Sequence, residues 1–393
     1  MYRRKTRQIQ VGNVKVGGDA SVSVQSMTAG YTHDIDACIA EINRLTKAGA
    51  DIVRVAVPER KDTAALTEIL SQVSVPIVAD VHFHFKRALE AIEAGVQKIR
   101  LNPGNIGDRE QVNAVIDSCK DANIPIRIGV NEGSVVERKD KQKRQAELAS
   151  FFADRKQGHL LAMMIAKVEE YLDIFESRDF QNICLSAKLM DARLVIDMYQ
   201  ELSKRFDYPL HLGVTHAGPR ETGSIRSIAA LGSLLSQGIG DTIRISYASD
   251  TVFEVEDGIE LLNSLDLRTR IGAELIACPS CGRIQVDLFE LVDNVRAQLE
   301  NEIDVPIKVA VMGCVVNGPG EAEGADVAVF AGDRKGIIYV QGERVANVKE
   351  DEILDRLLVE CKALQDRVRR GETKLGDKAV TIVAPLTVEG NTT

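Results

Sequence analysis

Short apolar runs alternate with amphipathic stretches of helical period through the first two thirds of the chain. The runs are apolar throughout rather than at every second position, which is typical of strands buried on both faces of a parallel sheet. Eight such strands, each followed by a helix, predict a TIM-type (β/α)8 barrel. A doubly wound open sheet is the structural alternative, because strand count alone does not establish closure. The runs span residues 21–27, 50–57, 76–83, 98–103, 125–131, 182–188, 209–215 and 241–247.

The pattern changes beyond about residue 270, after which short strand-like runs lie between two longer helical stretches. We therefore expect a two-domain protein, with the α/β barrel over residues 1–268 and a small α+β domain over residues 269–393. The helices of the second domain are predicted at 286–301 and 350–369, and its strands at 306–312, 326–331 and 336–341.

The longest link between predicted strands follows the fifth run and contains the charged section ERKDKQKR, from Glu137 to Arg144. A solvated helix start explains this section most simply, and a charged lid over the barrel mouth is the alternative.

Composition narrows the possible classes of protein. The 393 residues are 45% hydrophobic but only 4% aromatic, which indicates a large core of Val, Ile, Leu and Ala. A net charge of −9 disfavours a broad nucleic-acid footprint, although a local basic pocket is compatible with it. No apolar run reaches the length of about 18 residues that a membrane span needs, and the basic start MYRRKTRQIQ leads into no apolar signal core. We expect a cytoplasmic protein.

Cations interrupt five of the apolar runs. A buried cation needs a partner, and pairing with a carboxylate on a neighbouring element is the usual solution. The runs contain few carboxylates, chiefly Asp51 and Asp80, so cations converging on the carboxyl-terminal face of the barrel are hard to neutralise internally, and a polyanionic ligand is their natural partner. The fork of a guanidinium suits phosphate oxygens. The cations are Arg54, Arg100, Arg127, Lys188 and Arg244.

Further polar residues occur at the same strand ends. Asp80 and His82 are two residues apart, on one side of a strand, where they could form an orienting or acid/base pair. Strand-end asparagines are common in turns, but their clustering beside the arginine strands also suits contacts with hydroxyls or phosphate oxygens. From the residues alone, His84, His211 and His216 are interpreted as hydrogen-bonded structural histidines. The candidate substrate contacts are Asn102, Asn105, Asn131 and Ser246.

Three of the seven cysteines have the spacing of metal ligands. Cys278 and Cys281 are separated by two residues, and Cys314 lies in the glycine-containing segment MGCVVNGPGE, whose last residue is Glu321. This pattern predicts a metal or iron-sulfur site with one ligand that is not cysteine, which leaves a metal ion able to bind substrate. The other four cysteines lie on apolar faces and are predicted to be core thiols. They are Cys38, Cys119, Cys184 and Cys361.

Several motifs, in order along the chain, resemble the family of 4-hydroxy-3-methylbut-2-enyl diphosphate synthases of the non-mevalonate isoprenoid pathway. They extend over residues 25–321 and are specific. The motifs are QSMT, DIVRVAVP, DVHF, KIRLNPGNIG, PIRIGVNEGS, HLGVT, GIGDTIRIS, ACPSCGR and GCVVNGPGE.

The resemblance implies a [4Fe-4S] cluster held by Cys278, Cys281, Cys314 and the Glu321 carboxylate, with Glu321 exchanging for a substrate oxygen. It also implies 2-C-methyl-D-erythritol 2,4-cyclodiphosphate as the substrate, reductive ring opening with loss of water, and ferredoxin or flavodoxin as the electron donor. The strand cations would then hold the diphosphate. The chain departs from the family at His216, because members of the family have a glutamate after the HLGVT strand. A proton-donor role of that glutamate would pass to His216, His82 or water.

The last barrel helix runs back towards the amino-terminal face of the barrel, so a following domain reaches a partner's barrel mouth more easily than its own. We expect a head-to-tail homodimer with two composite sites, as the resemblance also implies. Two other classes stay open on the residues alone: a zinc-containing barrel enzyme acting on a phosphorylated metabolite, and a non-catalytic iron-sulfur sensor.

Overall fold

The structure is a computed structural model that describes residues 2–82, 84–102, 105–106, 108–135, 157–314, 322–332 and 334–376. The charged section at 137–144 and Glu321 lie outside the described residues. The chain divides into two compact units, Met1–Arg268 and Thr269–Thr393. None of the described helices is long and apolar enough to cross a membrane.

The first unit is a closed barrel of eight parallel strands. Leu185 forms an isolated parallel bridge to Leu210, and its N–H donates to the Pro209 carbonyl over 2.9 Å, which joins the two remaining edges. The TIM-type barrel is therefore confirmed and the open sheet is excluded. The strands are β3 Ser23–Met27, β4 Ile52–Ala56, β5 Ile77–Val81, β6 Lys98–Leu101, β7 Ile126–Asn131, β8 Ile183–Lys188, β9 His211–Leu212 and β10 Thr242–Ile243. Their spatial order is β8-β7-β6-β5-β4-β3-β10-β9.

Eight helices surround the described part of this barrel, and apolar side chains between helices and strands form one continuous core. Several helices begin at an aspartate whose carboxylate caps free N–H groups; Asp191, for example, accepts from Arg193 and Leu194. Cys38 and Cys119 are buried in this core, as predicted. The helices are α1 Ile35–Lys47, α2 Arg60–Gln72, α3 Phe85–Ala94, α4 Arg109–Asp121, α5 Gly158–Glu176, α6 Ala192–Arg205, α7 Arg220–Ser236 and α8 Thr251–Ser264.

A two-stranded antiparallel hairpin closes the amino-terminal end of the barrel. It comprises β1 Ile9–Val11 and β2 Val14–Val16. Its buried side chains pack against the first inward-facing residues of the barrel strands, including Cys184, which is the core thiol that the sequence predicts. The bottom of the barrel is therefore apolar and sealed, and the polar strand ends lie at the opposite face.

The second unit is built on a five-stranded sheet in sequence order. Its first three strands are parallel and its last three are antiparallel. Helices α9 Leu288–Glu302 and α10 Ile353–Arg369 pack on the sheet and bury Cys361 in a shared core. The strands are β11 Glu274–Ala277, β12 Lys308–Met312, β13 Val327–Gly332, β14 Lys335–Val340 and β15 Glu343–Lys349.

Candidate active site

A cavity opens at the carboxyl-terminal end of the barrel strands, where TIM-barrel active sites lie. It brings together all five strand cations with Asp80, His82, Asn131 and Ser246. Period-two alternation explains the convergence, because Ile99 and Leu101 point outwards into the helix-packed core while Arg100 between them points inwards. The remaining lining residues, which sequence reasoning missed, are Gly129, Ser186, Val214 and Thr215.

Asp80 is the carboxylate at the centre of this cavity. It lies 3.2 Å from the Arg100 guanidinium, 3.5 Å from that of Arg54 and 3.5 Å from His82 Nε2. Burial alone would raise the pKa of Asp80, but the Arg54 charge, the hydrogen bond from His82 and the Arg100 charge hold that pKa well below its usual range. Asp80 therefore stays ionised and orients two of the five cations, Arg54 and Arg100.

The Met27 sulfur is a second acceptor shared between cations. Arg54 donates to Met27 Sδ from Nε over 3.1 Å and from Nη2 over 2.8 Å, and Arg244 Nη1 lies 3.7 Å from the same atom. A thioether accepts only weakly, so it aligns the two guanidinium groups without neutralising them.

Glu254 is a second buried carboxylate, and the sequence analysis did not identify it. Its Oε2 lies 3.6 Å from Arg244, and its Oε1 accepts from the Tyr247 N–H over 3.1 Å. Burial raises the pKa of Glu254 in spite of the Arg244 charge. Glu254 lies in the first turn of the helix that follows the Arg244 strand. That position in the sequence could have identified it as a partner of Arg244.

Arg127 and Lys188 form no ion pair with any described residue. Arg127 Nη1 is 3.5 Å from the Ser186 hydroxyl, a marginal hydrogen bond. Burial, followed by the Arg244 and Arg127 charges, lowers the pKa of Lys188 well below its ordinary value. The five cations that line the described cavity thus have one carboxylate inside it, Asp80, and one beside it, Glu254, and an anionic ligand would relieve the imbalance. Asp51, considered as a possible partner, instead pairs with Arg268 at 2.7 Å outside the cavity.

Two glycines make room for the cations. A Cβ at Gly129 would lie 2.9 Å from Arg100 Nε, and a Cβ at Gly213 would lie 3.0 Å from Lys188 Nζ. Both glycines sit within the strand motifs PIRIGVN and HLGVT. Glycine inside a strand pattern marks a close approach, and that signal could have identified them.

Three predicted residues do not line this cavity. The Asn102 side chain is buried and accepts from the Tyr171 hydroxyl over 3.1 Å. Asn105 lies in the following turn, where its N–H donates to the Asn102 carbonyl. His216 has a left-handed backbone, with φ of 53°, and lines an adjoining depression that shares Arg244 and Ser246 with the cavity and also contains Glu254.

The three candidate ligand cysteines of the second unit lie beyond the ends of its first two strands. Cys278 follows β11 and Cys314 follows β12 by two residues, and these parallel neighbours place Ala277 opposite Val311. The Gly313 N–H donates to Cys278 Sγ over 3.3 Å. Cys281 is exposed in the next turn. The described residues include no group of three metal-binding side chains, and the predicted fourth ligand, Glu321, is outside them.

Cysteine sulfurs beyond neighbouring strand ends, with a backbone N–H on one of them, are ligands of the kind that iron-sulfur centres use. Of the two units, the first is a TIM barrel with a cationic cavity of the kind that binds phosphorylated ligands, and the second is a small domain bearing thiols. The model of the GcpE TIM-barrel domain matches residues 6–259, and that of the GcpE protein C-terminal domain matches residues 274–363. The chain belongs to the GcpE family, which confirms the resemblance seen in its motifs.

Relatives over nearly the whole chain are named 4-hydroxy-3-methylbut-2-en-1-yl diphosphate synthase (flavodoxin). The protein from Symbiobacterium thermophilum is 46% identical over 365 residues, covering 92% of this chain and 95% of the relative. That from Bacillus subtilis is 44% identical over 366 residues and covers 93% of each chain. Among solved structures, the Yersinia pestis dihydropteroate synthase covers 66% of this chain and 97% of its own length, with a TM-score of 0.45 and 12% identity.

Proposed function

We propose that this protein catalyses the reductive ring opening and dehydration of 2-C-methyl-D-erythritol 2,4-cyclodiphosphate to 4-hydroxy-3-methylbut-2-en-1-yl diphosphate. Flavodoxin, which the relatives' names print, is the proposed electron donor, with ferredoxin as the alternative. The observation that carries the proposal is the excess of cations in the barrel cavity of a chain with synthase relatives of nearly full length. The zinc enzyme and the iron-sulfur sensor are not favoured, because neither agrees with those relatives.

In this mechanism, Arg127 and Lys188 take the phosphate oxygens, because they have no ion-pair partner among the described residues. Arg100, Arg54 and Arg244 add charge-assisted contacts from fixed positions, since Asp80 and Glu254 orient them. Asn131 and Ser246 reach the same cavity and supply neutral hydrogen-bonding groups.

Cys278, Cys281, Cys314 and Glu321 would hold a [4Fe-4S] cluster, which supplies single electrons when bound. The reaction takes up two electrons and two protons, breaks carbon–oxygen bonds and releases one water. His82 is the proposed proton holder in the cavity, because the buried Asp80 carboxylate lies 3.5 Å from its Nε2 and orients the ring. His216 is the second candidate, from the adjoining depression. The composite homodimer expected from the sequence stays a prediction.

The proposal is tested with protein purified without oxygen, by iron and zinc analysis, visible absorption, and turnover with the cyclodiphosphate and reduced flavodoxin. We expect about four iron atoms per chain, a brown protein and product detectable by phosphorus NMR. A fully loaded, reducible protein that leaves the cyclodiphosphate unchanged would contradict the proposed reaction. A colourless, active zinc protein would replace it with the hydrolytic alternative.

A further inference from the structure

A second layer of polar side chains lies inside the barrel, below the cavity, and Arg127 is the one member of it that the proposed reaction uses. Lys98 comes two residues before Arg100, and Thr242 comes two residues before Arg244, so each points inwards one level deeper. Their neighbours Ile99 and Ile243 point outwards into the helix-packed core. We call this set the inner layer; it comprises Gln25, Lys98, Arg127, His211 and Thr242.

The inner layer is enclosed. Its members are at most 1% exposed. Below it, Ile9, Val11 and Val16 of the amino-terminal hairpin pack against Ile52 and Val78 and form an apolar floor. On the side towards the cavity the layer meets further polar groups, because Arg127 belongs to both levels.

Most polar atoms of the inner layer have no hydrogen-bond partner among the described residues. This holds for Lys98 Nζ, for Nε and Nη2 of Arg127, for both ends of the Gln25 amide, for both ring nitrogens of His211 and for the Thr242 hydroxyl. The expectation of a hydrogen-bonded His211 is therefore wrong for the described structure. Buried polar groups nearly always have hydrogen-bond partners, so we expect water molecules or ions between these side chains.

Charge distinguishes an anion from water as the principal occupant. Lys98 and Arg127 donate only, and they lie on the adjacent strands β6 and β7. The nearby carboxylates are engaged elsewhere: Asp80 by Arg54 and Arg100, and Asp241 by Arg3 and the Leu210 N–H. Water can satisfy hydrogen bonds, but it cannot neutralise two buried cations.

We propose that the inner layer binds one small inorganic anion of the size of chloride, between the Lys98 ammonium and the Arg127 guanidinium, with water on the remaining polar atoms. The proposal is independent of the reaction catalysed in the cavity above. Burial lowers the pKa of Lys98 to about 8. Anion affinity therefore falls as the pH rises through that value, because the ammonium is lost.

The test uses crystals grown with gluconate as the only anion, soaked in sodium bromide and measured at the bromine absorption edge. We expect one anomalous peak between Lys98 and Arg127, in addition to bromide in the cavity, whose cations act as an internal control. A second soak with inorganic pyrophosphate should displace bromide from the cavity and leave the inner peak. Bromide confined to the cavity, with water or no density in the inner layer, overturns the proposal.

A substitution of Lys98 tests whether this side chain binds the anion. Lys98→Met keeps most of the side-chain volume and should lose the inner peak while retaining bromide in the cavity. Lys15→Met, at an exposed position of the hairpin, should keep both. An inner peak of full height in Lys98→Met overturns the role of Lys98. If Lys98→Met does not fold, the wild-type map decides alone.

Discussion

Asp80 accepts a hydrogen bond from Arg100 over 3.2 Å, although the two residues are only 4% and 5% exposed. Asp80→Asn keeps the shape of the side chain but removes a buried counter-charge. Stability should fall by about 3–5 kcal/mol, because Arg54 and Arg100 become uncompensated. Inorganic pyrophosphate should raise the thermal unfolding midpoint of the variant by more than it raises that of the wild type.

Asp51→Asn is the matched control, since Asp51 pairs with Arg268 outside the cavity. It should respond to pyrophosphate like the wild type. Equal pyrophosphate shifts in all three proteins would show that Asp80 does not compensate the phosphate-binding cations.

Lys98 gives the protein a pH dependence whose sign follows from its burial. Its pKa falls from 10.5 to about 8, and the charged or titratable groups facing it are Arg54, Arg127, Cys184 and His211. Above about pH 10.5 the amine is neutral both in the folded and in the unfolded chain, and folding carries no penalty. As the pH falls towards 8, the Lys98 amine becomes protonated in the unfolded chain but stays neutral in the folded chain. About 3 kcal/mol of stability is then lost, and the loss is complete below that pH.

Urea unfolding in gluconate should show this loss in the wild type and not in Lys98→Met. The difference in unfolding free energy, wild type minus variant, should therefore rise between about pH 8 and about pH 10. Chloride should reduce that rise if the inner layer binds it. Parallel pH curves in gluconate would mean that Lys98 is hydrated or paired in the folded protein.

Gly129→Ala tests the space reserved for Arg100. The added methyl group would lie 2.9 Å from Arg100 Nε, so the guanidinium must move while the backbone need not. Affinity for the cyclodiphosphate, measured by calorimetry, should weaken by about tenfold, or about 1.4 kcal/mol. The control is Gly232→Ala in helix α7, where the new Cβ meets only Leu261 at an ordinary 3.6 Å and should leave affinity unchanged. Wild-type affinity in Gly129→Ala would show that Arg100 has room to adjust.

Cys314→Ser should abolish iron loading and turnover, because it removes one of three proposed thiolate ligands beyond the strand ends of the second sheet. Cys361→Ser is the control in the same unit; its thiol is buried in the core, so stability should drop while iron content stays normal. Iron analysis, visible absorption and circular dichroism distinguish the two outcomes. Full iron content in Cys314→Ser would rule out this ligand assignment.

The barrel was predictable because its strands are continuous apolar runs that cations interrupt only at inward positions. Strands β9 and β10 are shorter than predicted. Beyond Leu212 and Ile243 the backbone ladder ends and side-chain contacts replace it; for example, Ser246 Oγ donates to the Val214 carbonyl over 3.1 Å. The hairpin over residues 9–16 has strands of three residues, too short for a periodic signal. Strand β15 is largely exposed, so it lacks the apolar pattern as well.

The ion-pair partners of the charged residues were harder to predict than the positions of those residues in the fold. The sequence places Arg244 in the cavity but does not show that Glu254 turns back from the following helix to meet it. Asp51 is one of the few carboxylates in the apolar runs, but it precedes strand β4 and therefore lies at the amino-terminal face beside Arg268. Such pairings depend on helix orientation, which periodicity alone does not specify.

Strand β3 pairs on one side with β4 and on the other with β10, whose residues lie more than two hundred positions later in the chain. A ribosome must therefore synthesise nearly the whole first unit before the sheet can close. Until then the nascent sheet has two open edges, and its inward-facing lysines and arginines stay hydrated. Closure is consequently a late step, at which the cations lose water together. We expect nascent chains stalled before residue 242 to be held by chaperones or to aggregate.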